Sequence, residues 1–285
     1  MENAALKEAG EHFERSRAKL LRLAYRMLGS VTDAEDILQD AFLRWLKADR
    51  ADVQAPEAFL HRTVTRLCLD TRRSARYQRV DYVGPWLPEP LVESQPDDDV
   101  TLPLMVALER LTPLERAAFL LHDVFGLKFE EVAAAIGRDT AACRQLAVRA
   151  RVHVREARPR FQVEQQKGLE LAEAFYAASL SGDMTALGAM LAADVALFAD
   201  GGGKRPAALE PVTGFEAVMK LQAQLAGVRR LNNSTLMRVG FVNGLAGFVT
   251  VEADGEFSTT ALDIRNGKIL TIYIVRNPDK LRHLH

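Results

Sequence analysis

Residues 127–156 read LKFEEVAAAIGRDTAACRQLAVRARVHVRE. Phe129, Val132, Ala133 and Ile136 recur at helical spacing and form the expected buried face of a first short helix. Gly137 follows at once and suits a tight turn, and Asp139 or Thr140 offers a side-chain oxygen to cap the next helix. In that second helix Ala142, Leu146, Val148 and Ala150 are available for packing, which leaves Arg144, Gln145 and Arg149 pointing outward. The stretch therefore reads as a helix-turn-helix. Arginine pairs bidentately with guanine and glutamine with adenine, so an exposed helix carrying both near its start can read base edges. The arginines from Arg151 to Arg160 fit phosphates better. An ordinary helical hairpin with a solvated basic face is the competing reading, and this segment alone leaves it open.

The distribution of charge narrows the choice. The formal net charge of -1 argues against polyanion binding by the chain as a whole. Yet residues 62–79 hold six arginines against one acid, and residues 138–160 hold seven against two, whereas residues 167–285 balance twelve bases with twelve acids. Two basic patches in the first half and a neutral second half point to nucleic-acid contact by the first half only.

Upstream of the helix-turn-helix, DYVGPWLPEPLVESQPDDDV (81–100) carries four prolines and three successive aspartates, a composition that reads as an extended tether. Before it, Ala34, Ile37, Leu38, Ala41, Phe42, Trp45 and Leu46 fall on one helical face, with Thr32 and Glu35 as the expected capping box. Pro56 and Glu57 open another helix whose apolar face runs through Leu60, Val64, Leu67 and Cys68. After residue 168 the pattern changes. Helices are expected over 169–180, 185–191 and 215–225. Strand-like runs then alternate with Asn243-Gly244, Asp254-Gly255 and Asn266-Gly267, which are strong hairpin signals. Helices followed by an antiparallel meander read as α+β.

Three blocks carry a family resemblance. DAEDILQDAFLRW (33–45) is similar to the region-2 helix of extracytoplasmic-function sigma factors of RNA polymerase. AFLHRTVTRLCLDTRRSARYQR (58–79) resembles their promoter-melting helix. LTPLERAAFLLHDVFGLKFEEVAAAIGRDTAACRQLAVRAR (111–151) resembles their region 4. The order matches too, and a promoter with two separated elements accounts for two separated basic patches. The resemblance implies that the face bearing Asp33, Asp36, Gln39, Asp40 and Arg44 docks on core polymerase. It also implies that the loop 49–56 captures an extruded base, and that Arg62, Arg66, Arg72, Arg73, Arg76 and Tyr77 contact promoter DNA together with Arg138, Arg144, Gln145, Arg149 and Arg151. His61 is a further aromatic candidate for stacking on unpaired bases.

Residues 168–281 resemble the SnoaL-like cone fold. WLPEPL (86–91), DGGGK (200–204) and NPDKL (277–281) look like the signature of sigma factors with such a domain fused on as a regulator. The resemblance implies a regulatory interface of Trp86, Leu87, Pro88, Asp200, Lys204, Asn277, Asp279 and Lys280. The glycines of DGGGK could also form an anion-binding nest, though a plain surface loop needs no ligand. Asp194, Asp200, Asp263 and Tyr273 are candidate pocket residues, but no His-Asp pair stands out, so no catalysis is expected. An unidentified small molecule is a candidate partner of this domain.

The expected architecture is multidomain: two all-α sigma domains, the second a helix-turn-helix, plus an α+β SnoaL-like cone domain. The expected boundaries are 1–80, a tether over 81–101, 102–165 and 166–285. Neither cysteine, Cys68 or Cys143, has metal-ligand spacing, so no cofactor or metal is expected. No apolar run spans a bilayer and the N-terminus lacks signal-peptide features, so a cytoplasmic protein is expected. Two other readings compete: a ligand-responsive helix-turn-helix regulator independent of polymerase, and a cone-fold enzyme tethered to DNA. The region-2 block is useful to neither.

Overall fold

The computed structural model describes residues 2–49, 53, 55–78, 82–93, 101–155, 164–231 and 234–284, without the side chains of 2–8, 75–78 and 229–231. Helices α1 (Glu2–Leu28), α2 (Val31–Lys47) and α3 (Pro56–Gln78) come first, followed by the short strand β1 (Val92–Glu93). Helices α4 (Leu102–Leu108), α5 (Pro113–Phe119), α6 (Phe129–Ile136) and α7 (Thr140–Val154) follow, with a π-helical turn at Leu120–Val124. The rest comprises α8 (Gln165–Ser181), α9 (Met184–Met190), β2 (Leu191–Asp200), β3 (Val212–Thr213), α10 (Phe215–Leu231), β4 (Thr235–Val242), β5 (Leu245–Val251), β6 (Phe257–Arg265) and β7 (Lys268–Val275). Two compact units result: Met1–Val80 with Ala107–Ala157, and Asp81–Val106 with Arg158–His285.

The first unit is all-helical. Its core gathers Leu20, Leu23 and Met27 of α1, Ile37, Leu38 and Trp45 of α2, Leu60 and Val64 of α3, and Phe119. The Trp45 indole donates to the Ala9 carbonyl at 3.0 Å, so burying this ring leaves no orphan N–H. Ser30, not Thr32, caps α2: its hydroxyl accepts from the Asp33 amide at 3.1 Å, because the helix begins two residues earlier than the Thr32–Glu35 pattern implies. At the helix-turn-helix, Gly137 closes α6 in the left-handed region (φ 68°), where a side chain would be strained, and the Asp139 carboxylate caps α7 at 2.7 Å from the Ala142 amide. The buried faces are shifted from the expected ones. Val132, Ala135 and Ile136 are buried in α6, and Cys143, Ala147, Ala150 and Val154 in α7. Val148, expected inside, is 53% exposed.

In the second unit, α8, α9 and α10 pack on a seven-stranded sheet of order β1-β4-β5-β6-β7-β2-β3, with β2 and β7 parallel and the other pairs antiparallel. Asn243 (φ 49°) and Asn266 (φ 52°) begin the two tight hairpins that the Asn-Gly pairs predict. Strand β2 was not expected from the sequence. Side-chain alternation along β2 and β7 divides two apolar clusters. Leu197, Ile272 and Ile274 join Phe175, Leu187 and Val218 under the helices. Tyr273 and Val275 join Leu87, Val242, Ala261 and Leu281 in the other cluster.

Candidate functional site

On α2, Asp33, Asp36, Gln39, Asp40 and Arg44 are all exposed, opposite buried Ala34, Ile37, Leu38, Ala41 and Trp45. Leu43, which sequence reasoning passed over, lies among them at 52% exposure. A polar stripe that ends beside an exposed apolar side chain is a suitable protein-docking patch.

The candidate DNA-contacting residues of α3 fare unequally. Arg73 is exposed, 3.4 Å from Asp70, and the Arg62 guanidinium lies over the Phe59 ring. Arg66 donates to the carbonyls of Ala134 (3.1 Å) and Ala135 (3.4 Å) in α6, so part of its donor capacity is used inside the unit. Arg72 is largely withdrawn. Its side chain is 10% exposed, and it pairs with Glu109 at 3.4 Å and donates to the Met27 carbonyl at 3.1 Å. Glu109 also holds Arg116, which is fully buried and donates to the Arg26 carbonyl at 2.9 Å. Arg72 is thus a member of a buried cluster here, not a surface contact. His61 is corrected in the same way. It is 5% exposed, edge-on to Phe125 with ring centroids 6.3 Å apart, and cannot stack on a base in this arrangement. Burial lowers its pKa against the opposing pull of Glu57. The side chains of Arg76 and Tyr77, Arg158 and Arg160, and residues 50–52 and 54 of the expected base-capturing loop lie outside the described residues.

On α7, Arg144, Gln145 and Arg149 are exposed on one face with Val148 and Val152 between them. Arg144 lies over the Phe129 ring and 3.9 Å from Glu130. Arg138 is exposed and donates to the Gly137 carbonyl, while Arg151 donates to Asp123 at 2.7 Å.

The tether residues and the two C-terminal motifs meet in one network inside the second unit. Leu87 and Pro88 are buried, and β1 adds to the sheet edge by pairing Val92 with Val242. The Asp200 carboxylate is fully buried. It accepts from the Leu87 amide (2.8 Å), from Lys280 Nζ (2.7 Å) and from the Tyr82 hydroxyl. Lys280 also donates to the Leu87 carbonyl, and its ammonium sits 4.3 Å from the Trp86 ring centroid and 4.7 Å from that of Tyr82. Asn277 Nδ2 donates to the Tyr82 hydroxyl at 2.9 Å. Burial and the Asp200 carboxylate push the Tyr82 pKa far up, so its hydroxyl stays protonated as a donor. Tyr82 carried no sequence signal that marked it for this role. Lys204 pairs with Asp279, whose carboxyl is held below its usual range mainly by that contact. The DGGGK loop packs against Asn277 and Val83. A side chain at Gly202, itself left-handed (φ 57°), would collide with Asn277, and one at Gly203 would press on Val83.

The remaining candidates lie away from the cavity, of about 710 Å³, that this unit encloses beside α10: it is lined by neither Asp194, Asp200, Asp263 nor Tyr273. Asp194 is exposed, Asp263 pairs with Arg265 at 2.9 Å, and Tyr273 stacks on Phe198 on the opposite side of the sheet. Among the described residues there is no cluster of side chains suited to a metal ion, and no helix is long and apolar enough to cross a membrane.

Residues 12–77 match the Sigma-70 region 2 family and residues 101–154 the Sigma-70, region 4 family. The chain is 37% identical to the ECF RNA polymerase sigma factor SigJ of Mycobacterium tuberculosis, over 94% of this chain and 91% of that one. It is 38% identical to a probable ECF sigma factor SigI of the same species, over 60% and 62%. The crystal structure of M. tuberculosis SigJ superposes with a TM-score of 0.77 at 34% identity, covering 95% of this chain and 98% of that one. With both sigma regions in order and similarity that runs on through the α+β unit, this chain belongs to the extracytoplasmic-function family of RNA polymerase sigma factors.

Proposed function

We propose that this sigma factor is governed through the tether between its two sigma regions, which its own C-terminal unit grips. The basic role follows from the family: a sigma factor joins core RNA polymerase and directs it to promoter DNA. The observation that carries the regulatory reading is the convergence of Tyr82, Trp86 and Leu87 of the tether on Asp200, Asn277 and Lys280. The Asp200–Lys280 pair lies within the C-terminal unit and selects one register of the tether, because any slip takes the Leu87 amide and carbonyl and the Tyr82 hydroxyl away from their buried charged partners. Fixing the tether restricts how far the two DNA-contacting regions can separate, and polymerase selects the released form.

Residue roles follow the same division. Asp33, Asp36, Gln39, Asp40 and Arg44, with Leu43 at the C-terminal end of the same face, make the polymerase contact. Arg62, Arg66, Arg73, Arg76 and Tyr77 serve promoter opening, and Arg72 does so only once the Glu109 cluster opens. Arg144, Gln145 and Arg149 read bases, while Arg138 and Arg151 hold phosphates. The protein acts in the cytoplasm. It has no catalytic activity in the C-terminal unit: the acids that do line the cavity, Glu252 and Asp254, are both paired with arginine.

The test is run-off transcription with core polymerase, comparing the full chain, a truncation near residue 165 and the single substitution Lys280→Met. A change in transcript yield shared by the truncation and Lys280→Met supports control through the tether. Identical yields from all three proteins reject it.

A further inference from the structure

The cavity of the second unit is not explained by the sigma-factor role. It lies between α10 and the helix-covered face of the sheet, with Leu197, Ala199, Leu221, Leu225, Val228 and Ile274 as its apolar wall. At about 710 Å³ it is within the range of sites that hold metabolite-sized molecules. A second cavity of about 90 Å³ adjoins it, sharing Leu225, Val228, Glu252, Ile274 and Arg276, and adds the hydroxyls of Ser179, Thr250, Ser258 and Thr260.

Two features define what could bind. The first is Ser179: it is 3% exposed, and its hydroxyl has no hydrogen-bond partner. Buried hydroxyls are nearly always satisfied, so one left without a partner on a cavity wall is a mark of a polar ligand atom. The second is charge. Arg205 pairs with Glu252 at 2.9 Å and Asp254 at 2.6 Å, and Arg276 pairs with Glu252 and donates to the Pro206 carbonyl at 2.7 Å. Two cations and two anions are thus bound to one another. An ionic ligand would have to break a pair and leave a charge unmatched, whereas an uncharged one need not.

We propose that the two adjoining cavities form one receptor site for an uncharged, largely apolar small molecule, whose body fills the larger and whose single hydroxyl or carbonyl group reaches Ser179 on the wall of the smaller. Its position gives such a ligand a route to the tether. Ala199 and Ile274 face the cavity, whereas the neighbouring Asp200 and Val275 face the docked tether. The backbone amides of Arg276 and Asn277 both donate to the Asp200 carbonyl, at 2.7 and 3.0 Å. The binding site stands without the regulatory reading, and only its effect on transcription rests on it.

The test uses three probes with one apolar body, 2-naphthol, 2-methylnaphthalene and 2-naphthoate, titrated into the full chain by equilibrium dialysis near neutral pH. The expected order is naphthol tightest, then methylnaphthalene, with naphthoate weakest. Ser179→Ala, which removes no existing hydrogen bond, should abolish the advantage of naphthol over methylnaphthalene and leave the latter unchanged. Glu252→Gln, by releasing arginine donors, should tighten naphthoate by roughly tenfold. Leu225→Trp should block all three. Naphthoate binding as tightly as naphthol to the wild-type chain, or a naphthol preference that survives Ser179→Ala, overturns the ligand class. Absence of saturable binding by any probe overturns the site. Binding that obeys the expected order but leaves run-off transcription unchanged upholds the site and rejects only its link to the tether.

Discussion

Replacing Lys280 by methionine tests the tether network most directly. The substitution keeps the length and the apolar stem of the side chain and removes only the ammonium. What remains is a fully buried Asp200 carboxylate whose donors are the Leu87 amide and the Tyr82 hydroxyl. Removing one member of a buried ion pair typically costs about 3–5 kcal/mol, because the surviving charge is left uncompensated. The two surviving donors put the expectation at the lower end, about 3 kcal/mol. The cation–π contacts with Trp86 and Tyr82 belong to the same charge and are not a separate addition. Three kcal/mol corresponds to about a hundredfold change in an opening equilibrium. Native-state hydrogen exchange reads it at the Leu87 amide, whose protection should fall by about that factor, while amides in the β5–β6 ladder change little. Adding Asp200→Asn to Lys280→Met should recover part of the loss, since both charges are then gone. Unchanged Leu87 protection in Lys280→Met, or a double variant worse than the sum of the singles, would refute the view that this ion pair holds the tether.

Glu109→Ala should destabilise the helical unit by about 3 kcal/mol or more, since Arg116 and Arg72 both lose their carboxylate, and a urea titration followed by Trp45 fluorescence in a Trp86→Phe background measures it. His61 has its pKa lowered by burial below the ordinary 6.5, so between those two values the unfolded chain binds more protons than the folded one. Stability of this unit should therefore hold above pH 6.5 and decline as pH falls through that window, and the decline should be smaller in His61→Phe when urea midpoints are compared at several pH values. Reversing charge at Asp36 and Asp40 should weaken co-purification with core polymerase without altering the circular dichroism spectrum, and unchanged co-purification removes these residues from the docking surface. Arg144→Ala should shift base preference by about 1–3 kcal/mol at one promoter position. Val148, exposed on the same face, should contact a thymine methyl, so replacing that thymine by uracil should weaken the wild type but not Val148→Ala.

Local chemistry made some of this architecture readable in advance and hid the rest. The helix-turn-helix could be found because Gly137 and Asp139 satisfy backbone requirements wherever the chain goes afterwards, and the Asn-Gly hairpins are local in the same sense. Strand β2 could not: LAADVALFAD is rich in alanine, a helix former, and becomes a strand chiefly by parallel pairing with β7, more than seventy residues away, with the short β3 on its other edge. The phase of α7 is not legible in the sequence because its buried positions include the small Cys143, Ala147 and Ala150, while the larger Val148 and Val152 face outward. Ranking by side-chain size selects the wrong stripe when a helix packs closely. The same limit applies to charge. Sequence does not separate Arg72, held in the Glu109 cluster, from Arg73, which is exposed, because the distinction is made by residues outside α3.

The polar character of the tether site bears on how it could be released. A tether held by apolar contacts alone would lose their full burial on opening, about 1.5–3 kcal/mol for a side chain such as Leu87. The Asp200–Lys280 pair behaves differently: both charges lie in the C-terminal unit, so they stay paired and regain hydration when the tether leaves, and the net cost of opening is smaller than that of deleting one of them. The network is therefore stringent about which segment occupies the site and lenient about that segment leaving. A switch worked by polymerase needs both properties. Moving a population from 1:99 to 99:1 takes about 5.5 kcal/mol of differential binding, and a protein interface the size of the α2 docking face could supply that only if the closed state is not held by much more. Substituting the pair with an apolar couple, Asp200→Leu with Lys280→Met, removes both charges but orphans the buried Leu87 amide and the Tyr82 hydroxyl, so it should loosen the tether, as a fall in Leu87 amide protection would show.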